Sequence, residues 1–168
     1  MKNLNLIFVF VFTILMINKV AFSLETKPVM NLELAKKLAD ACEAKKATTD
    51  WRPLNIAIVD SGADLVLFIR QDNAFLGSVD IAINKAIAAA MIPYPTRAVG
   101  ELVYGKDGKP GRAPGLGTVD FLVPFPGGLP IKTETGELIG AIGVSGATGD
   151  QDEECAQAAL DSVKGLLK

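Results

Sequence analysis

The residues with the most chemical potential stand together at positions 143–154, Gly-Val-Ser-Gly-Ala-Thr-Gly-Asp-Gln-Asp-Glu-Glu. The first five nearly match a nucleophile elbow, in which a serine on a tight strand-to-helix turn attacks a carbonyl. That reaction needs a histidine to take the serine's proton, and the chain contains no histidine. The same absence excludes Cys–His nucleophile pairs and histidine-based zinc or iron sites. Acid–base work is left to carboxylates, lysine, tyrosine or cysteine. Asp60, Asp72 and Asp150 are the candidate bases, with the amides of the 145–149 turn as an oxyanion site. A Gly-rich turn entering a helix can also hold an anion on its free N–H groups. Here Asp150, Asp152, Glu153 and Glu154 already supply negative charge to the helix dipole. The turn therefore reads as architecture, with Asp150 and Glu153 spaced as a capping box.

Two other patterns fail on chemistry. Gly100 to Lys106 starts like a phosphate-binding loop, but Asp107 stands where a magnesium-ligating serine or threonine belongs. Asp150-x-Asp152-x-Glu154 lacks the glycine and distal glutamate of a calcium loop.

The elements that position these residues follow from periodicity. Asn31 caps a helix over residues 32–46 whose apolar face is Leu34, Ala35, Leu38, Ala41 and Cys42. Residues 54–60 and 65–70 read as strands joined by the turn Ser61-Gly-Ala-Asp64. Their nearly continuous apolar character predicts a sheet covered on both faces. A second helix, residues 76–92, is rich in alanine and suited to close packing on a sheet or another subunit. Being apolar on nearly every side, it should meet a second partner, either the loop 105–117 or another copy. Prolines 93 and 95 end it, and a short third helix covers 96–104. The glycine-rich segment 105–117 is either a loose surface excursion or a loop over a pocket. A strand at 119–123, the turn Pro-Phe-Pro-Gly127-Gly128, strands at 129–133 and 138–144 and a helix from 150 to 168 complete the chain. The order is αββααβββα, an α+β layout.

Residues 1–23 have the form of a signal peptide: Lys2, the apolar run 4–17 and the small-x-small site Ala21-Phe-Ser23. An uncleaved N-terminal anchor is the alternative. Residues 24–168 then form one domain of about 145 residues. Cleavage removes Lys2 and Lys19 from the 17 basic residues, leaving 15 against 19 acidic ones, net −4. That balance speaks against nucleic acid and anionic membrane surfaces as partners. Cys42 and Cys155 fall on apolar stripes of the first and last helices. They are expected as buried free thiols, with a disulfide as the alternative.

Three stretches carry a resemblance: NIAIVDSGADLVLFIRQDNAFLGSVDIAINKAIAAA, the turn PGGLPI, and GELIGAIGVSGATGDQDEECAQAAL. Together they resemble the GlcG/HbpS family of small haem-associated domains over nearly the whole mature chain. The resemblance implies a profilin-like sandwich built on a five-stranded antiparallel sheet, and a homo-oligomer. It also implies binding, or degradation, of haem or a related tetrapyrrole; the signal peptide, separately, predicts a periplasmic or secreted protein. Arg70, Lys85, Arg97 and Arg112 are then candidate partners for haem propionates. The turn residues Gly127, Gly128, Ser145 and Gly146, with Asp150, are the other candidates for the ligand site. Some relatives use histidine on the iron, which this chain cannot do. Axial ligation would fall to Met30, Met91, Tyr94, Tyr104, Lys85 or a cysteine, or the iron would keep an open position. Two other readings stand beside haem binding: an enzyme or accessory protein for a small organic acid or aldehyde, and a structural oligomeric module.

Overall fold

Alternation of apolar side chains along two central strands decides how the layers stack. The computed structural model describes residues 26–168; the expected signal peptide lies outside the described residues. Strands β1 (Asn55–Asp60), β2 (Leu65–Arg70), β3 (Gly128–Lys132) and β4 (Leu138–Ser145) form one antiparallel sheet in the order β2-β1-β4-β3. Ile56 and Ile58 of β1 join Ile142 and Val144 of β4 in a core against α1 (Leu32–Ala47) and α4 (Gly149–Val163). The intervening residues Ala57, Val59 and Ala141 face α2 (Ser78–Met91) on the opposite side. Helices thus cover both faces, as the continuous apolar strands predict.

The alanine stripe of α2 has a specific use. Ala82, Ala86 and Ala89 lie on the sheet, and a Cβ at Gly143 would collide with the Ala82 carbonyl and the Ala86 amide. Small residues on both partners let helix and sheet backbones approach closely. The helix's second partner comes from the same chain. Ala88 packs with Val99 and Val103 of α3 (Thr96–Tyr104) and with Leu122. Ala88 and Ala89 are therefore interior residues, and the second face of the helix, for which the sequence offered the loop 105–117 or another copy, is filled by α3 and the segment after that loop.

The sheet has four strands, not five. Residues 119–123 follow a 3-10 turn (Pro114–Thr118) and form no ladder. Their apolar side chains are spent on the cluster with α3, and Pro124 beyond them has no N–H to donate. The helix start is corrected too. The N-cap of α4 is Thr148, whose hydroxyl accepts from the Gln151 amide while the Gln151 side chain accepts from Thr148 N–H. The acids Asp150 and Asp152 fall in the first turn of α4, where they favour the helix dipole.

Cys42 and Cys155 form a disulfide between α1 and α4 with Cα atoms 4.8 Å apart, overturning the expectation of free thiols. Both helices lie side by side on one sheet face. The small residues Ala35, Ala39, Ala156 and Ala159 let them approach within bridging range.

Candidate functional site

Two groups of polar residues draw the predicted site residues apart. The first is interior. Lys85, in the middle of the alanine-rich α2, is fully buried. Its ammonium donates to Asp152 Oδ2 at 2.9 Å and to the Val144 carbonyl at 2.8 Å. The Phe125 ring lies over the same nitrogen, 4.8 Å from its centroid. Asp152 Oδ1 accepts from the Ala147 amide at 3.0 Å. Burial pushes Lys85 below its ordinary value and Asp152 above its own, with each partner's charge opposing the shift. The pair is held by four parts of the chain: α2, the end of β4, the start of α4 and the 124–128 turn.

That turn is shaped by what it must avoid. Gly127 has φ +122, and a Cβ there would sit 2.6 Å from the Lys85 ammonium. At Gly128 a Cβ would meet the Lys85 carbonyl and the Thr96 methyl, each at 2.5 Å. Thr96 completes the lock: its hydroxyl accepts from Gly128 N–H at 2.9 Å and donates to the Phe125 carbonyl at 2.8 Å. Of the predicted residues, Lys85, Gly127, Gly128 and Gly146 belong to this node, and Ser145 is buried beside it at the end of β4, paired with Asn55. Two amides of the 145–149 turn have internal partners: Ala147 N–H bonds Asp152 and Thr148 N–H bonds Gln151.

Arg97, at the start of α3, ties the node to the surface. Its guanidinium donates to Glu153 Oε1 at 2.8 Å and to Asp150 Oδ1 at 2.6 Å, and these bonds raise its pKa. Arg97 and Asp150 are thus partners of each other.

The second group lines an open cleft of about 700 Å³ between α3 and the glycine-rich loop. Tyr94, Ala98 and Leu102 form one wall; Lys109, Pro110 and Arg112 form the other. The loop is built, not loose. Lys106 and Lys109 exchange backbone hydrogen bonds in an isolated bridge, and Ala113 N–H donates to the Leu102 carbonyl at 2.9 Å. Gly105 makes the turn out of α3 with φ +95, where a Cβ would strike the Lys109 carbonyl. Glu101 holds Lys106 at 2.7 Å. Among the described residues, Lys109 and Arg112 pair with no carboxylate.

The remaining candidates divide in the same way. Tyr94 lines the cleft, and Tyr104 borders a shallower depression against the same loop. Met91 is exposed at the end of α2, and Met30 is buried in the core with α1. The cysteines are joined to each other. Arg70 is exposed at the end of edge strand β2, apart from both groups. Sequence reasoning missed Lys109 as a cleft cation and Asp152 as Lys85's partner. A lone lysine amid five alanines was the available signal, because a buried ammonium needs a buried acceptor. Among the described residues, no cluster of three or more His, Cys, Asp or Glu residues could hold a metal ion, and no helix is long and apolar enough to cross a membrane.

This architecture recurs in known proteins. A 15.0 kDa protein of Citrobacter freundii, encoded between dhaT and dhaS, is 38% identical over 132 residues, covering 79% of this chain and 90% of that one. A crystal structure of a Streptomyces reticuli HbpS double mutant is 30% identical with a TM-score of 0.71, covering 82% of this chain and 89% of that chain. The crystal structure of a PduOC–haem complex is 25% identical with a TM-score of 0.68, covering 80% and 95%. The family model described as haem degrading protein HbpS-like matches residues 30–161, from the buried Met30 through all four strands into the last turn of α4. The chain, with its αββααββα order and its capped turn into α4, belongs to the HbpS-like family.

Proposed function

We propose that this protein is exported and binds haem or a related tetrapyrrole in the cleft between α3 and the glycine-rich loop. The observation that carries the reading is the pairing of apolar walls with two unpaired cations. Ala98, Leu102 and Pro110 offer an apolar surface, and Lys109 and Arg112 stand beside it. A haem has an apolar macrocycle and two carboxylates at one edge, so the residues present fit the group. The cleft volume of about 700 Å³ lies in the range of small-molecule and cofactor sites. When bound, the iron would supply redox or ligand-binding chemistry; the protein's part is to hold the propionates and shield one face from water. The PduOC–haem complex in the same fold adds support. The rival reading, acid–base catalysis at the 145–149 turn, is disfavoured because its two central amides, Ala147 and Thr148, are occupied by Asp152 and Gln151.

Export rests on the apolar N-terminal run and on the disulfide, a bond typical of oxidising compartments. A periplasmic or secreted product beginning at Leu24 is the expected result of N-terminal sequencing; a soluble form beginning at Met1 argues against export. Helices on both faces of the sheet support the profilin-like description of the fold. A homo-oligomer is proposed as well. Phe75, Leu76 and Met91, at the two ends of α2, are 48%, 72% and 56% exposed, and subunit contact would cover them. A monomer at micromolar concentration in the ultracentrifuge would overturn that part.

The central test is titration with hemin. Stoichiometric uptake with a Soret band is expected. A Lys109→Ala/Arg112→Ala variant should bind about 10- to 100-fold more weakly, the value of losing charge-assisted hydrogen bonds. No Soret band with the wild type ends the reading, and an unchanged affinity in the double variant removes the cleft.

A further inference from the structure

The geometry points to Tyr94 as the residue that ligates ferric iron through its phenolate oxygen, with Lys109 and Arg112 holding the propionates. The inference rests on the haem reading above and goes beyond it by naming the iron ligand. It starts from what the fold removes. The chain has no histidine. Cys42 and Cys155 are joined to each other and buried. Lys85 is sealed in the interior with Asp152, and Met30 is packed beneath α1. Among the described residues, Met91, Tyr94 and Tyr104 remain of the ligand candidates named from the sequence, each exposed enough to meet an iron from outside.

Position separates those three. Tyr94 alone lines the cleft with the two unpaired cations. Tyr104 borders the shallower depression against the same loop, without Arg112, and Met91 lines neither. Tyr94 is 62% exposed, so its oxygen can be reached without unfolding anything. It is also firmly placed. Pro93 and Pro95 flank it and restrict its backbone, and the chain then enters α3. Lys132, on β3, donates to the Pro93 carbonyl at 2.8 Å and holds its ammonium 5.8 Å from the Tyr94 ring centroid. A phenolate at this position would share the cleft with Lys109 and Arg112 and lie beside Lys132, while the cleft's one carboxylate, Glu101, is engaged by Lys106.

Ligation forms one dative bond. The Tyr94 hydroxyl loses its proton to solvent, and the oxygen gives a lone pair to Fe(III) in place of the hydroxide or water carried by free hemin. No electron is transferred. Tyrosine is an established protein ligand for haem iron, and its anionic oxygen favours the ferric state.

The full-length mature protein, loaded with hemin, provides the test. The wild type should show phenolate-to-iron charge transfer in the visible spectrum and tyrosinate modes in resonance Raman. Tyr94→Phe should abolish both and weaken hemin binding about 10-fold or more. Tyr104→Phe and Met91→Leu should leave both signatures in place. Tyr94 is exposed, so phenylalanine should not disturb folding, and circular dichroism checks that. Hemin bound with no tyrosinate signature, or a signature that survives Tyr94→Phe, overturns the ligand assignment and leaves haem binding standing. No Soret band at all overturns both.

Discussion

The buried node around Lys85 and the open cleft around Arg112 are made of similar material: lysine or arginine, glycine turns and an aromatic ring. They differ in whether the charges are satisfied. Lys85 has Asp152, the Val144 carbonyl and the Phe125 ring, with no room for even a methyl group at Gly127. Lys109 and Arg112 have solvent and an apolar wall. A charge taken out of water needs its partners built in, so it becomes architecture. A charge left at the rim of an apolar cleft is available to an anionic ligand.

The sharpest way to break the contrast is to strip the node of one partner. Asp152→Ala leaves an ammonium buried without its counter-charge and should cost about 3–5 kcal/mol in denaturant unfolding. Lys85→Met with Asp152→Leu removes both charges and should recover most of that loss. If the single variant unfolds like the wild type, the node is not structural.

Removing the α1–α4 bridge with Cys42→Ala and Cys155→Ala comes next, at about 2–4 kcal/mol for a native disulfide closing a long loop. The bridge spans 113 residues, which places the expectation at the upper end. A small change would show that the packing of α1 on α4 suffices alone. Gly128→Val should cost about 1–3 kcal/mol from overpacking against the Lys85 carbonyl and Thr96. The cause is close approach, since the positive φ belongs to Gly127 and not to Gly128. Gly128→Ala should show a smaller loss of the same kind.

Acidity offers a subtler probe. The folded-state pKa of Asp152 lies above its ordinary 3.8, raised first by burial. Such a group gives stability that is fully present below pH 3.8 and is lost as pH rises through the folded pKa. Lys85, lowered below 10.5 by burial, works from the other side: stability increases as pH rises from its folded pKa toward 10.5. Asp152 thus opposes the acid destabilisation that ordinary carboxylates cause, while the Lys85 contribution changes only between its folded pKa and 10.5. Relative to the Lys85→Met/Asp152→Leu variant, the wild type should gain melting temperature as pH falls from neutrality toward 3.8. A gap between the two proteins that does not change with pH removes this role. The smallest stability effect belongs to the cleft. Lys109→Ala with Arg112→Ala should stay within about 0.5 kcal/mol of the wild type, as exposed substitutions do, while losing hemin affinity. A large loss of stability would make the cleft cations structural after all.

Much of this protein was legible in the one-dimensional pattern. The ranges of β2 and α3 and the Asn31 cap match the reading from periodicity and capping chemistry. The alanine stripe of α2 foretold close packing, and Gly143 is what it packs on. The misses have common causes. The run 119–123 is apolar enough for a strand, but burial against α3 satisfies it without a ladder. Four acids within five residues obscured which of them turns inward, and Thr148 rather than Asp150 carries the cap.

The sequence alone determined most of the elements, the absence of histidine chemistry, the family resemblance and the roster of possible ligands. Those depend on local backbone preference and on composition, which need no knowledge of distant neighbours. Only the tertiary structure decided that Lys85, 67 residues before Asp152, is an interior ion pair. It alone brought the cysteines together across 113 residues, and it alone set Tyr94 in the cleft with Arg112. A charge acquires its role from the solvent and partners around it, and those are fixed by how the layers stack.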